Sequence, residues 1–180
     1  YLTLMLIDNI GGVRFAQKDP KGAAEHARAA LEGRQRVLGE GHAATLRSCF
    51  NLGKVLESLG ERDEAITLYR RAAAGFRTVY GEFHQNTIAA RTALAGVLLN
   101  AGRFAECEST LAEEIALLDA SADAPRERRL AVVRAMGILY EKWNTSEPGK
   151  GYDAKAAEWQ AKLDNAKAET QPAEPATSEK

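Results

Sequence analysis

Apolar residues recur along this chain at the spacing of a helix face, in paired segments separated by short polar turns. From Ala43 to Leu59 they fall at Leu46, Cys49, Phe50, Leu52, Gly53, Val55, Leu56 and Leu59, a helical period and not the alternation of a strand. From Asp63 to Tyr80, residues Ala65, Ile66, Leu68, Tyr69, Ala72, Ala73, Phe76 and Val79 form one broad stripe, with Arg62, Glu64, Arg70, Arg71 and Arg77 mostly outside it. Gly60-Glu61-Arg62 is the turn between the two helices. Glycine suits a helix C-terminus because the left-handed conformation is cheap only without a Cβ, and Asp63 is placed to cap the following helix through its carboxylate.

The pair is a repeating unit. Gly39-Glu40-Gly41-His42 returns forty-two residues later as Gly81-Glu82-Phe83-His84, and the following residues keep step: Thr45 falls on Thr87, Leu52 on Leu94, Leu56 on Leu98, Gly60 on Gly102 and Glu64 on Glu106. Upstream, Ile10-Gly11 lands on Leu52-Gly53, Asn9 on Asn51 and Ala23 on Ala65, with Pro20 in the first turn of a second helix. Downstream, Met136-Gly137 and Tyr140 take the equivalent places in a helix opened by Pro125, and a polar insert at 144–151 precedes an apolar pattern from Tyr152 to Leu163. The expected organisation is a repeat array over 1–164, in units of about 1–38, 39–80, 81–120 and 121–164, followed by a disordered tail over 165–180. That tail lacks any bulky apolar residue whose burial would offset its ordering entropy.

Leu52-Gly53, Leu56, Gly60, Glu64-Ala65, Tyr69 and Ala72 resemble the tetratricopeptide repeat (TPR) pattern, and Leu94-Ala95, Leu98, Gly102, Glu106-Cys107 and Leu111 follow it more loosely. The longer period and the Leu-Gly-Glu-x-His-x-x-Thr junction at Leu38 to Thr45 resemble the 42-residue subtype of kinesin light chains and many bacterial multi-repeat proteins. The resemblance implies an all-α fold: a right-handed superhelical stack of about four helix pairs, an α-solenoid, acting as a scaffold for protein or peptide partners. Leu139-Tyr140-Glu141-Lys142-Trp143 and Ala154 to Leu163 further resemble the final repeat of TPR arrays carried by bacterial serine/threonine protein kinases. No kinase motif occurs in these residues, so that likeness implies a regulatory or substrate-recruiting region of a larger chain. A start at Tyr1 likewise leads us to expect more repeats or another domain upstream.

Composition narrows the partners. Hydrophobic content of 45%, charged content of 27% and a net charge of −1 offer no global field for nucleic acid or an anionic membrane surface. No run of about 18 apolar residues predicts a membrane span, and no basic-then-apolar leader is visible. Cys49 and Cys107 lack metal or redox spacing and read as small buried hydrophobes in a reducing compartment, so a cytoplasmic location is expected.

Candidate chemistry is sparse. P-loop, HExxH and GxSxG motifs are all missing, so no catalytic residue, cofactor or metal site is expected. His42 and His84 recur at the mouth of successive first helices, where a side chain serves the turn; His26 is expected on a solvated stripe, as are Glu113 and Glu114. Arg126, Arg128 and Arg129 could reach a phosphate, but Glu127 dilutes them and no aromatic residue interleaves.

The expected core runs through Leu6, Ile10, Ala23, Ala27, Leu31, Leu46, Leu52, Leu56, Ala65, Tyr69, Ala72, Phe76, Leu94, Leu98, Leu111, Leu118, Val133, Met136 and Tyr140. Function is expected on the groove side of the first helices, at Asn9, Arg47, Phe50, Asn51, Lys54, Thr92 and Arg134. In the resembled family the Asn before Leu-Gly hydrogen-bonds a bound peptide backbone. Asn9 and Asn51 match that position, whereas Ala93 and Ala135 do not. The alternatives left open are a kinase regulatory region and a self-associating spacer.

Overall fold

Each pattern of apolar spacing becomes a helix in the computed structural model, which describes residues 2–168. The helices are α1 (Leu2–Ala16), α2 (Pro20–Leu38), α3 (Ala43–Leu59), α4 (Arg62–Tyr80), α5 (Gln85–Asn100), α6 (Phe104–Ala120), α7 (Arg126–Ser146) and α8 (Tyr152–Ala168). This is an all-α repeat stack. It divides into two compact units, Tyr1–Arg103 and Phe104–Lys180, the division falling inside the third expected repeat. In the first unit each helix packs on the next from α1 to α5; in the second, α6 packs on α7 and α7 on α8.

The recurring junction has a physical reason. His42 is the N-cap of α3, its Nδ1 accepting from the Ala44 N–H at 3.1 Å, while the Thr45 hydroxyl donates to the Gly39 carbonyl at 2.8 Å. One repeat later His84 accepts from the Asn86 N–H at 3.2 Å and Thr87 donates to the Gly81 carbonyl at 2.8 Å. The two glycines sit at φ 85° and 93° with ψ near 170°, a region essentially closed to residues with a Cβ. The histidines therefore serve the turn, as their periodicity suggested.

Other helix ends depart from the expectation. Asp63 lies inside α4 and its carboxylate accepts from Arg103 at 3.1 Å; Glu61 is the N-cap and makes no side-chain capping bond. Asp19 does cap α2, accepting from the Gly22 N–H at 2.9 Å, with Pro20 in the first turn. That bond, with Arg14 beside it, holds the Asp19 carboxyl below the usual carboxylate range. The expected insert at 144–151 is shorter than its sequence suggested, because α7 continues through Asn144 to Ser146. α8 likewise passes 164 and reaches Ala168; the rest of the expected tail lies outside the described residues.

Of the expected core, Leu6 and Ile10 are exposed at 61% and 45%, and the others are buried. Among the described residues α1 packs chiefly on α2, whereas α3 is held between α2 and α4, so the same register position is covered in one helix and open in the other. Polar residues enter both cores. Arg34 is 1% exposed, and its guanidinium bonds Asp8 at 2.8 Å, the Ser48 hydroxyl and the Leu4 carbonyl, tying α2 to α1 and α3. Glu114, expected on a solvated face, is buried and takes Arg128 bidentately at 2.6 and 2.7 Å, while Glu113 is exposed.

Candidate functional site

The first unit carries a groove between α1 and α3 whose floor is Ala27 of α2 and whose lining is Asp8, Gly11, Gly12, Phe15, Asn51, Lys54 and Val55. It comprises about 510 Å³ of space, part of it open to solvent. The repeat register explains why these residues meet. On α1 the positions turned toward α3 are 8, 12 and 15; on α3 those turned back toward α1 are 51, 54 and 55. Gly12 falls on Lys54 in register, so the long side chain of one unit faces a bare backbone in the other. A Cβ added at Gly12 would meet nothing within 4 Å, whereas one at Gly11 would lie 3.4 Å from the Ala23 carbonyl. Gly11 therefore lets α1 approach α2, and Gly12 keeps the groove open.

The electrostatics are set by one cation and one carboxylate. Lys54 is exposed on α3, and Asp8, with its side chain 11% exposed, is already held by Arg34. The groove thus presents an ammonium whose acidic co-lining residue, Asp8, is engaged by Arg34, next to a carboxamide that both donates and accepts. Phe15, 38% exposed, supplies an apolar wall.

The expected site residues separate. Asn51 and Lys54 line the groove together, and Arg47 lies on the same face of α3 two turns before Lys54 and is exposed. Phe50 turns instead toward α4, its ring 5.6 Å from Tyr69. Asn9 is exposed on α1 but outside the groove lining, because the register position that faces α1 on α3 faces away from α3 on α1. Thr92 is exposed on α5, its hydroxyl donating to the Ile88 carbonyl at 2.9 Å. Arg134 is exposed on α7 in the other unit. Sequence reasoning missed Gly12 and Phe15 as groove residues; the signal was the pairing of Gly12 with Lys54 in the repeat.

The remaining candidates are occupied by structure. Arg126 donates to the Ala166 carbonyl at 2.9 Å, Arg128 binds Glu114, and Arg129 binds Asp119 and the Leu118 carbonyl, so the basic cluster holds helix ends together. His26, expected to be solvated, is half-buried, and its Nδ1–H donates to the Gly22 carbonyl at 2.8 Å. Cys49 and Cys107 are buried, and burial pushes both thiols up, Cys107 to about 11. In the second unit Trp143 stacks on Tyr152 at 4.3 Å and on Phe104 at 5.6 Å, while Lys155 lies over the Tyr140 ring at 5.0 Å. Among the described residues no cluster of three potential metal ligands occurs, and no helix is long and apolar enough to cross a membrane.

The tetratricopeptide repeat profile matches residues 2–78 and 49–120. No curated protein matches the chain significantly. Similar solved structures include nearly identical TPR-like repeats of a putative kinesin light chain from Podosopora anserina, with 19% identity, a TM-score of 0.81, 94% of this chain covered and 77% of that one. Its Q17M variant gives a TM-score of 0.79 at 19% identity, covering 93% and 76%. BtubC (BKLC) from P. vanneervenii gives 0.74 at 14% identity, covering 98% and 68%. These likenesses are of fold, and they are to kinesin-light-chain-like repeats. With the profile spanning most of the helices, the chain belongs to the tetratricopeptide repeat family.

Proposed function

We propose that the chain is a protein-interaction scaffold whose α1–α3 groove binds an extended segment of a partner protein. The family in general mediates protein–protein interaction. The observation that carries the finer reading is the pairing of the bare Gly12 backbone with Asn51 and Lys54 across one open groove. An extended peptide has N–H and C=O groups that lose water on docking, and the Asn51 carboxamide replaces both kinds of partner at once. Lys54 then favours a carboxylate on the segment, and the Phe15 wall an apolar side chain.

The test is selection of peptides from a displayed library on the purified chain, followed by titration against Asn51→Ala with Lys54→Ala, and against Gly12→Arg. Neither change touches a buried contact, so helicity and melting should be kept. Affinity should fall at least about tenfold in both variants, a loss of about 1.4 kcal/mol. Peptides that bind all three chains equally would remove the groove from consideration.

A second reading rests on the resemblance of Leu139 to Trp143 and Ala154 to Leu163 to the last repeat of bacterial kinase-linked arrays. There the array recruits substrate for a catalytic domain in the same polypeptide. Kinase motifs upstream in the parent reading frame would establish it, and an open reading frame without them would end it.

A further inference from the structure

We infer that Arg34 is a specificity-determining residue of the α1–α3 groove: by holding Asp8 from the floor side, it keeps that carboxylate off Lys54 and leaves the ammonium to a carboxylate of the partner. The inference rests on the groove being the binding site. Asp8 and Lys54 are the charged residues of its lining. A carboxylate free to move there would be drawn to the ammonium, and the groove would satisfy its own charge. Helices α1 and α3 are equivalent in successive repeats and run the same way, and side chains lean toward the N-terminus of their helix. The Lys54 stem therefore leans from the level of Gly12, its register partner, toward the level of Asp8, one turn earlier.

The repeat supplies an internal control for whether the fold needs the Arg34–Asp8 pair. In register, Phe76 and Leu118 stand where Arg34 does, Phe50 and Thr92 where Asp8 does, and Ala90 where Ser48 does. Phe76, Leu118 and Ala90 are buried, so the later repeats close the same place with apolar side chains. The charged version is also incompletely satisfied. Two guanidinium nitrogens reach Asp8, the Ser48 hydroxyl and the Leu4 carbonyl, but the buried Nε has no hydrogen-bond partner among the described residues.

An ion pair taken out of water where apolar contact serves is commonly neutral or unfavourable for stability. What sets this pair apart from its apolar counterparts is its effect on the groove. With Arg34 in place the carboxylate is committed to α2, and the exposed ammonium faces the opening. Without it the two lining charges cancel, and a segment carrying a carboxylate loses its advantage over one carrying an amide.

Acylation of Lys54 in the full chain by an N-hydroxysuccinimide acetate ester, read by mass spectrometry with the exposed Lys21 as internal reference, tests this without a ligand. The reagent attacks the free amine, and a neighbouring carboxylate holds the ammonium form. Arg34→Met, and Arg34→Gln, which keeps a donor for Ser48, should each slow Lys54 relative to Lys21 at least about threefold, and adding Asp8→Asn should restore the rate. With library-selected peptides carrying Glu or Gln opposite Lys54, the wild type should prefer Glu at least about tenfold; Arg34→Met should bring the ratio toward one, and Asp8→Asn in that background should restore it. An unchanged Lys54 rate in both Arg34 variants, or a slowing that Asp8→Asn does not reverse, would overturn the proposal. Loss of helicity in both variants would overturn it too, since the pair would then be a requirement of the fold. Peptides that never bind the wild-type groove would end the binding reading, while the acylation rates would still decide the role of Arg34.

Discussion

Arg34 on α2 and Asp8 on α1 are joined at 2.8 Å with side chains only 1% and 11% exposed, so the groove wall at Asp8 is fixed by a cation that water does not reach. Removing one partner of such a pair strands the other charge. Asp8→Ala leaves the guanidinium in the core and should cost about 3 to 5 kcal/mol. Arg34→Met should cost less, because the abandoned Asp8 borders the open groove and can take up water, while the methionine refills the volume. Urea denaturation of the two variants gives the ranking. The reverse order would mean that the Ser48 and Leu4 bonds of Arg34 outweigh its bond to Asp8.

Gly53 and Gly12 lie in the first helices of neighbouring repeats, yet the same substitution should move stability in opposite directions. A methyl at Gly53 would sit 2.8 Å from Cε1 of Tyr69, whose ring is buried and whose hydroxyl donates to Glu57 at 3.1 Å. That ring is held at both ends, so Gly53→Ala should cost about 1 to 3 kcal/mol through overpacking. At Gly12 the methyl meets open space, and Gly12→Ala should stabilise by up to about 1 kcal/mol through helix propensity. Melting temperatures of the two variants should therefore bracket that of the wild type.

The periodic features were legible and the singular ones were not. His42 and His84 declared their capping role by recurring at the same offset, and the αL turn at Gly60 followed from one glycine at a helix end, where φ is 81° and ψ is 5°. Leu6 and Glu114 misled for a shared reason: a helical pattern says which residues are apolar or charged, not how many neighbouring helices cover them. Leu6 reads as core but is 61% exposed among the described residues, and Glu114 reads as surface until Arg128, on the next helix, closes on it. Asn9 and Asn51 share a register position, and only the packing shows that this position faces a groove on α3 and an open stripe on α1.

The imidazole caps lend themselves to a matched comparison. His42→Ala removes the acceptor for the Ala44 N–H and should cost about 0.5 to 2 kcal/mol, as loss of an N-cap side chain usually does. His42→Ser restores a short oxygen acceptor and should recover most of that loss. Chemical denaturation of both variants checks it. Equal destabilisation by Ala and Ser would mean that the ring acts by packing, as His84 does in stacking on Tyr80 at 4.3 Å.

Cys107 ties burial to alkaline stability. Its residue is 1% exposed, and burial raises the thiol from an ordinary value of 9.0 to about 11. The folded chain therefore keeps the proton to higher pH than the unfolded chain does. The stability this represents is fully present below about pH 9 and is lost as pH rises toward about 11, a change on the order of 2 kcal/mol. Cys107→Ala lacks that titration, so the advantage of the wild type over the variant should shrink between those limits and stay constant at neutral pH. The same burial should make the thiol react with Ellman's reagent only through opening of the second unit, at a rate that climbs with added urea. Prompt labelling of Cys107 in the native chain at neutral pH would show that the α6–α7 packing opens far more readily than its buried side chains imply.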